Sequence, residues 1–149
     1  MVELQDGTLL VNMRSNHGKN RRALSRSRDG GLSWSPIEFD ETLIEPGCQA
    51  SFIRYTRKGK SATRSRLLFS NPAGVKRVNL TIRLSYDDGA TWPVSKLLHE
   101  GPSAYSSMAV LKDSSVACLN EQGESHPYET VTFTRFNLEW LTDGRDKHR

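Results

Sequence analysis

The stretch SRDGGLSW, Ser27–Trp34, returns 58 residues later as SYDDGATW, Ser85–Trp92. Both copies follow the pattern S-x-D-x-G-x-S/T-W. The serine ends a strand, the aspartate can accept N–H bonds across the turn, and the glycine supplies a positive φ that other residues resist. The tryptophan flanks the next strand, where its apolar face can pack beneath the turn. The pattern predicts a structural hairpin clasp with no catalytic role. The residues assigned to the two clasps are Ser27, Asp29, Gly31, Trp34, Ser85, Asp87, Gly89 and Trp92.

The composition is that of a globular protein. Of the 149 residues, 36% are hydrophobic and 26% are charged, which is too apolar for general disorder and too polar for a membrane protein. No run of about 18 apolar residues predicts a membrane segment. The net charge of +4 is compatible with anionic partners. The densest basic run, Arg54–Arg66, lacks an aromatic stacking series, so we interpret it as a solvated hairpin loop and predict no nucleic-acid partner.

Short apolar runs with a two-residue period predict strands along the whole chain. Nine runs qualify, namely TLLVNMRS, RRALSRS, QASFIRY, RLLFSNP, VNLTIRLS, VSKLLHE, SSMAVLK, SVACLNE and ETVTFTRF. Turn-forming sequences separate them, namely QDGT, RDGG, NPAG, DDGA, EGPS, KDSS and EQGESHP. No segment predicts a helix of 12 residues. We expect an all-β fold, and the repeat favours the blades of a β-propeller, which need about 40 to 50 residues and four strands each.

Cysteine and histidine usage indicates neither a disulfide framework nor a metal site. Cys48 and Cys118 lie in apolar contexts and predict buried free thiols. His99, His126 and His148 lack metal-ligand spacing. We therefore predict no metal and no cofactor. The first residues carry no secretory signal pattern, so the localisation stays open.

The clasps resemble Asp boxes, the BNR repeats of the exo-α-sialidase (neuraminidase) family. Five further segments resemble, in the same order, the second half of a six-bladed sialidase propeller. They are NMRSNHGKNRRALSRSRDGGLSW, EPGCQAS, LLFSNPAGVKR, EGPSAYSSMAVL and CLNEQGE. The resemblance implies that residues 1–142 form the C-terminal half of such a propeller, with about three blades present, and that 143–149 is a polar tail. A longer parent protein of this family would be expected outside the cytoplasm, secreted or periplasmic.

The resemblance also implies a glycoside hydrolase that removes terminal sialic acid from sialylated glycans with retention of configuration. Arg14 in NMRS and Arg77 in NPAGVKR resemble two of three arginines that hold the sialic acid carboxylate, whose geometry suits planar guanidinium groups. Tyr105 in GPSAYSS resembles the catalytic tyrosine nucleophile. A neutral phenol can approach an anomeric centre that bears an anion, where a carboxylate would be repelled. Glu121 resembles a carboxylate that orients the first arginine of the three.

Three parts of the family's site have no counterpart in this sequence. They are the first arginine, the acid/base aspartate and the glutamate that activates the tyrosine. The glutamate is expected just before Met1, and Glu3 lies too far along the strand to replace it. We therefore expect a truncated sialidase that is inactive alone or needs a complementing N-terminal half.

Two alternative functions stay open. A non-catalytic Asp-box propeller would bind carbohydrate without turnover. A hydrolase of another acidic sugar would keep the arginine clamp and act on uronic acid glycosides. Taken singly, an arginine is most often a solvated surface charge, and Tyr105 or Glu121 could equally be an ordinary strand residue.

Overall fold

The computed structural model describes residues 1–59 and 62–147. Across these residues the chain forms ten strands and one four-residue helix. The strands are β1 (Val2–Glu3), β2 (Leu9–Met13), β3 (Arg21–Ser27), β4 (Glu38–Ile44), β5 (Ser51–Thr56), β6 (Arg66–Pro72), β7 (Val78–Ser85), β8 (Val94–Val110), β9 (Val116–Gln122) and β10 (Thr130–Phe136), and the helix is α1 (Leu138–Leu141). The two-residue period of the sequence therefore predicts the secondary structure correctly in type.

The strands form three antiparallel blades. The first blade has the order β1-β2-β3-β4, and the second contains β5, β6, β7 and the first part of β8. The long strand β8 continues into the third blade, where it pairs with β9, and β9 pairs with β10. This arrangement confirms the predicted all-β fold with about three propeller blades.

Two details of the predicted strands are wrong. The sequence EGPS, predicted as a turn, lies within β8, where Gly101 adopts a φ of +91° and the chain passes from the second blade to the third without a loop. Strand β4 was absent from the predicted runs because its sequence, EFDETLI, is rich in acidic residues. Acidic side chains suit β4 because it is the outer edge strand of its blade, where charge discourages pairing with other chains.

The basic run Arg54–Arg66 is a solvated loop only in part. Residues 57–59 are exposed as predicted, whereas 60 and 61 lie outside the described residues. Arg66 opens β6 and is buried, where its guanidinium donates to the two carboxylate oxygens of Asp146 at 2.8 and 2.7 Å. The prediction fails at this residue because its partner is 80 positions away in the sequence.

The segment interpreted as a polar tail contributes to this packing. Asp146 is buried, and Thr142 just before the segment donates its hydroxyl to the Asp146 carbonyl at 3.2 Å. His148 and Arg149 lie outside the described residues. The domain boundary at 142 stays a prediction.

The second blade is buried on both faces, and strand β6 shows why. Its side chains alternate between two apolar clusters. Leu67 and Phe69 point into the cluster between the first and second blades, whereas Leu68 points into the cluster between the second and third. Full burial of each such side chain contributes about 1.5–3 kcal/mol. A strand with two buried faces reads as a continuous apolar run, which is how RLLF appears in the sequence.

Both Asp boxes form the same hydrogen-bonded turn. In the first box, the Ser27 hydroxyl donates to Asp29 at 2.8 Å and accepts the Gly31 N–H at 2.8 Å, while Asp29 accepts the Ser33 N–H at 2.9 Å. The second box repeats these three bonds at 2.8, 2.8 and 2.8 Å. Hydrogen bonds from the Ser33 hydroxyl and N–H, and then from Ser27, hold the pKa of Asp29 well below its usual range. Gly31 has a φ of +97°, as the motif requires.

The antiparallel strands divide the loops between two ends of the blades. We call one the box end, which carries the Asp-box loops 28–37 and 86–93. We call the other the site end, which consists of residues 14–20, 45–50, 73–77, 101–105 and 123–129. All the residues expected to bind substrate or react with it fall at the site end.

The two box tryptophans provide a matched test of burial. Trp92 is 8% exposed and packs against Phe52 and Phe69, with ring centroids 6.2 and 5.8 Å away, whereas Trp34 is 42% exposed. We expect Trp92→Ala to lower the free energy of unfolding by about 3–5 kcal/mol. Trp34→Ala should lower it by less than about 1.5 kcal/mol, because it removes less buried surface. Urea denaturation of the two variants measures this, and equal losses would contradict the packing described here.

The Arg66–Asp146 pair predicts a pH dependence of stability. Burial tends to raise the pKa of Asp146, but hydrogen bonds from Arg66 and Tyr86 and the Arg66 charge outweigh it, so the pKa is lowered. A carboxylate whose pKa is lowered by folding stabilises the fold above its ordinary pKa of about 3.9, and that contribution is lost as the pH falls through the folded value. We expect the free energy of unfolding to fall below about pH 4. The fall should be shallower in Asp146→Asn than in a control variant of an exposed carboxylate, Glu100→Gln, and identical pH profiles would refute the contribution of the pair.

Candidate active site

Arg14, Arg77 and Tyr105 converge at the site end from three different blades. Arg14 follows β2 in the first blade, Arg77 precedes β7 in the second, and Tyr105 lies in β8 where the third begins. Arg14 Nη1 donates to the Tyr105 hydroxyl at 3.4 Å. The Arg77 guanidinium carbon lies 5.6 Å from the centroid of the Tyr105 ring. The structure therefore brings together three residues that are up to 91 positions apart in the sequence.

These three side chains form a cationic surface with a phenol at its centre. Arg14 is exposed, Arg77 is half-buried, and Tyr105 is 40% exposed. The Arg14 guanidinium contacts the Tyr105 hydroxyl and the Arg77 guanidinium lies over the Tyr105 ring. Two such groups beside one phenol favour an anion at this position, and their planar donor groups match a carboxylate. The arrangement can hold an anionic group while it presents the Tyr105 oxygen to a neighbouring atom.

A β-bulge places Tyr105 in this position. The register between β8 and β9 shifts by one residue between Ser103 and Ser106, so two residues of β8 lie opposite Glu121 alone. Tyr105 is the second of the two, and its N–H donates to Glu121 Oε2 at 3.1 Å. Glu121 thus satisfies a backbone donor of the bulged strand. Its expected role in orienting a first arginine stays a prediction.

A buried ion pair lies beneath the Arg14 loop. Arg22 and Glu45 are 3% and 0% exposed, and their charged atoms are 3.5 Å apart. Glu45 also accepts the Ser15 N–H at 2.7 Å, and Arg22 donates to the Cys48 carbonyl at 2.9 Å. Burial lowers the pKa of Arg22, and the charge and hydrogen bond of Glu45 oppose that shift. The pair fixes the backbone of the residue that follows Arg14.

Tyr128 is a further aromatic residue at the site. Arg77 donates to its hydroxyl, and the guanidinium carbon lies 5.9 Å from its ring centroid. The Glu129 carboxylate closes the Tyr128 loop, since it accepts the Ser125 hydroxyl at 2.5 Å and the His126 N–H at 2.8 Å. Hydrogen bonds from the Ser125 hydroxyl and from backbone N–H groups lower the pKa of Glu129 to about 2. The loop therefore presents Tyr128 from a fixed turn.

Sequence reasoning missed the residues that support the site. The segment EPGCQAS was noted only as a match. Its residues Glu45 and Gln49 lie between two strands, where Glu45 contacts Ser15 and Gln49 contacts Ser106 in β8. Tyr128 is the one aromatic residue in the polar sequence EQGESHPYE. An aromatic residue in such a loop is a signal that could have found it.

Cys48 and Cys118 are free and buried, as predicted. Burial raises the pKa of Cys48, and it raises that of Cys118 to about 11. Among residues 1–59 and 62–147, no three histidine, cysteine, aspartate or glutamate side chains are grouped as metal ligands. Within the same residues, no helix has the length and apolar character needed to cross a membrane.

We expect the loss of the buried Arg22–Glu45 pair to lower the free energy of unfolding far more than the loss of an exposed ion pair. Glu45→Leu leaves the Arg22 charge buried without its carboxylate, which we expect to cost about 3–5 kcal/mol of unfolding free energy. The double variant Arg22→Met, Glu45→Leu should recover part of that loss. The control is Glu38→Leu, which breaks the 2.8 Å pair between Glu38 of β4 and Arg26 of β3. That pair is largely exposed, so its loss should cost less than about 1 kcal/mol.

Chemical denaturation of the three variants and the parent chain measures these costs. If Glu38→Leu and Glu45→Leu lower the free energy of unfolding equally, the buried pair is not the support of the Arg14 loop that the structure indicates.

Comparison with known proteins agrees with the fold. The family model described as BNR repeat-like domain matches residues 1–118. A sialidase of Micromonospora viridifaciens is 40% identical over 143 residues, which cover 94% of this chain and 21% of that protein. A sialidase of Bacteroides fragilis is 34% identical over 131 residues, covering 85% of this chain and 24% of its own length.

The solved structures lead to the same family. The Hadza microbial sialidase Hz136 aligns with a TM-score of 0.75 at 37% identity, over 91% of this chain and 26% of that one. The chain thus spans about a fifth to a quarter of the length of these three proteins. The chain belongs to the BNR repeat-like domain family and forms about three blades of a propeller of the exo-α-sialidase type.

Proposed function

We propose that this chain forms part of an exo-α-sialidase, which hydrolyses terminal sialic acid from sialylated glycans. The observation that carries the proposal is the convergence of Arg14, Arg77 and Tyr105 at one end of the blades. The same three residues resemble the family's carboxylate clamp and nucleophile. Similarity to sialidases of other organisms supports the substrate class.

In the proposed mechanism Arg14 and Arg77 hold the carboxylate on the anomeric carbon, and Tyr105 is the nucleophile. Its phenolic oxygen gives its proton to a base and bonds to the anomeric carbon. The bond from that carbon to the aglycone oxygen breaks, and the aglycone oxygen takes a proton from an acid. Water then attacks the same carbon and releases the tyrosine, so two inversions give net retention. The phenol suits this step because it is neutral until its proton is removed.

The base, the acid and the first arginine of the proposed site are assigned to a complementing N-terminal half. Within the described part of the chain, the Tyr105 hydroxyl accepts a hydrogen bond from Arg14 and donates none to a carboxylate. The activating glutamate is expected just before Met1. Glu3 is the acidic residue nearest to that position in the sequence, and it pairs with Arg57 towards the box end. In the assembled enzyme, Glu121 would orient the first arginine.

An exposed apolar face on the third blade supports such a partner. Leu119, Val131 and Phe133 are 50%, 72% and 61% exposed on β9 and β10. Leu119 and Phe133 are directly paired across the two strands, so their side chains share one face. A contiguous apolar sheet face next to Tyr105 is suited to packing against a further blade.

A hybrid enzyme tests the proposal. In it, this chain replaces the aligned segment of the Micromonospora sialidase. We expect the hybrid to hydrolyse a fluorogenic α-sialoside, 4-methylumbelliferyl N-acetylneuraminic acid. Tyr105→Phe should lower kcat by about 10³-fold or more, because the nucleophile is lost. Arg77→Lys should raise KM by about 10-fold to 100-fold, because a bidentate contact is lost.

The control variant is Tyr55→Phe, which removes a hydroxyl that bonds to the Ser114 carbonyl away from the site. It should leave kcat within about threefold of the parent hybrid. If the parent hybrid and its Tyr105→Phe variant bind the sialoside equally well and neither hydrolyses it, a non-catalytic binding propeller is favoured. Turnover of a fluorogenic glucuronide in place of the sialoside would favour another acidic sugar.

A further inference from the structure

The backbone on the C-terminal side of Tyr105 is held by a side chain from the loop that joins the first blade to the second. Gln49 Nε2 donates to the Ser106 carbonyl at 2.9 Å, and the Ser106 N–H donates to Gln49 Oε1 at 2.9 Å. The amide of Gln49 therefore pairs with both backbone groups of Ser106, as a neighbouring strand would. The edge of β8 that faces away from β9 is satisfied at this position by one side chain.

Further contacts make Ser106 a fixed point. Its hydroxyl lies 2.7 Å from the Ser70 hydroxyl, and both residues are buried. Two residues further along β8, the Met108 N–H donates to the Ser51 hydroxyl at 2.9 Å. The start of β5 and the loop before it thus cover the free edge of β8 beside the bulge.

The backbone groups of Tyr105 and Ser106 are consequently held from opposite sides of β8. Glu121 on β9 accepts the Tyr105 N–H, and Gln49 holds both backbone groups of Ser106. A bulge leaves a strand locally without ladder bonds, so its shape depends on such side-chain partners. Tyr105 projects from this bulge towards Arg14.

The loop that carries Gln49 also fixes the chain beside Arg14, whose guanidinium contacts the Tyr105 hydroxyl. Glu45 accepts the Ser15 N–H at 2.7 Å, next to Arg14. Residues 45–49 therefore hold the chain directly after Arg14 and directly after Tyr105. The loop 45–50, which joins the first blade to the second, therefore sets the separation between the Arg14 and Tyr105 side chains.

We propose that Gln49 is a positioning residue, whose amide pairs with the Ser106 backbone and thereby holds the Tyr105 hydroxyl beside Arg14. The proposal rests on the proposed function in so far as Tyr105 is the nucleophile. Gln49 does not touch the reacting atoms in this role. It acts through the backbone of β8, and a misplacement of the phenol by about 1 Å can lower the rate by about 100-fold.

The chain contains a matched control for this arrangement. Gln5 Nε2 donates to the Lys58 carbonyl at 3.1 Å, and the Lys58 N–H donates to Gln5 Oε1 at 3.0 Å. This is the same reciprocal amide pair, and it lies at the box end. Gln5→Leu and Gln49→Leu therefore remove the same bonds, and only Gln49→Leu should disturb Tyr105.

The test is ¹⁹F NMR of the 149-residue chain labelled with 3-fluorotyrosine at its four tyrosines. Tyr105→Phe assigns the Tyr105 signal, and Arg14→Met should shift that signal because it removes the contact with the hydroxyl. In the Gln49→Leu background the shift caused by Arg14→Met should be lost, and in the Gln5→Leu background it should remain. Amide exchange at Ser106 should become about tenfold faster in Gln49→Leu, in line with the loss of one hydrogen bond.

A shift that persists in Gln49→Leu, or that is lost equally in Gln5→Leu, would overturn the proposal. If Gln49→Leu fails to fold, Gln49→Glu decides the question. Glutamate keeps the acceptor for the Ser106 N–H and loses the donor to the Ser106 carbonyl. A reduced shift in Gln49→Glu supports the proposal and an unchanged shift refutes it.

The hybrid enzyme separates this inference from the proposed function. There, Gln49→Leu should lower kcat by about 100-fold with KM within about threefold, because binding of the carboxylate is retained. An unchanged kcat would overturn the positioning role even if the hybrid is active. If the parent hybrid lacks turnover while the ¹⁹F shift depends on Gln49, the positioning role stands and the proposed function fails.

Discussion

The burial of both faces of the second blade determines the geometry of the molecule. Leu67 and Phe69 on one side of β6 and Leu68 on the other join this blade to both of its neighbours. Because interiors pack at crystal-like density, these two interfaces leave little freedom in the relative positions of the blades. The contact between Arg14 of the first blade and Tyr105 of the third is a consequence of that packing, as is the position of Arg77 over the Tyr105 ring.

Carboxylates at both ends of the blades accept local hydrogen bonds. At the box end the carboxylates Asp29 and Asp87 accept hydrogen bonds within their own turns, which lowers the pKa of each despite the opposing effect of burial on Asp87. At the site end, Glu45 and Glu121 bond to the backbone beneath the surface, whereas Arg14 stays exposed. The acids support the loops and the guanidinium groups face outward. This separation is the physical basis for expecting an anionic ligand at the site end.

The bounds of β3, β6 and β7 match the predicted runs. Each of these strands is a short run with apolar residues that ends at a turn-forming sequence, so the local sequence is enough to predict it. Strand β4 could not be predicted because an outer edge tolerates acidic residues that hide the alternation. The burial of Arg66 depends on a carboxylate 80 residues away, and no local pattern reports such a partner.

The candidate site was predictable only in part, for a related reason. Arg14, Arg77 and Tyr105 were assigned through resemblance to a family, and the structure brings all three together. The roles of Glu45 and Gln49 depend on how three blades align and on a one-residue register shift in β8. Single-sequence patterns carry no information about either, because side-chain contacts between blades follow from the assembled fold.

We propose that Arg14 and Arg77 form one carboxylate site, and NMR titration of arginine side chains tests this assignment. The Nε–Hε signals of the chain would be followed during addition of N-acetylneuraminic acid and, separately, of its methyl ester. We predict that the signals of Arg14 and Arg77 move together with the acid and stay in place with the ester, since the ester lacks the anionic group. Equal shifts with both compounds, or shifts confined to other arginines, would contradict the claim.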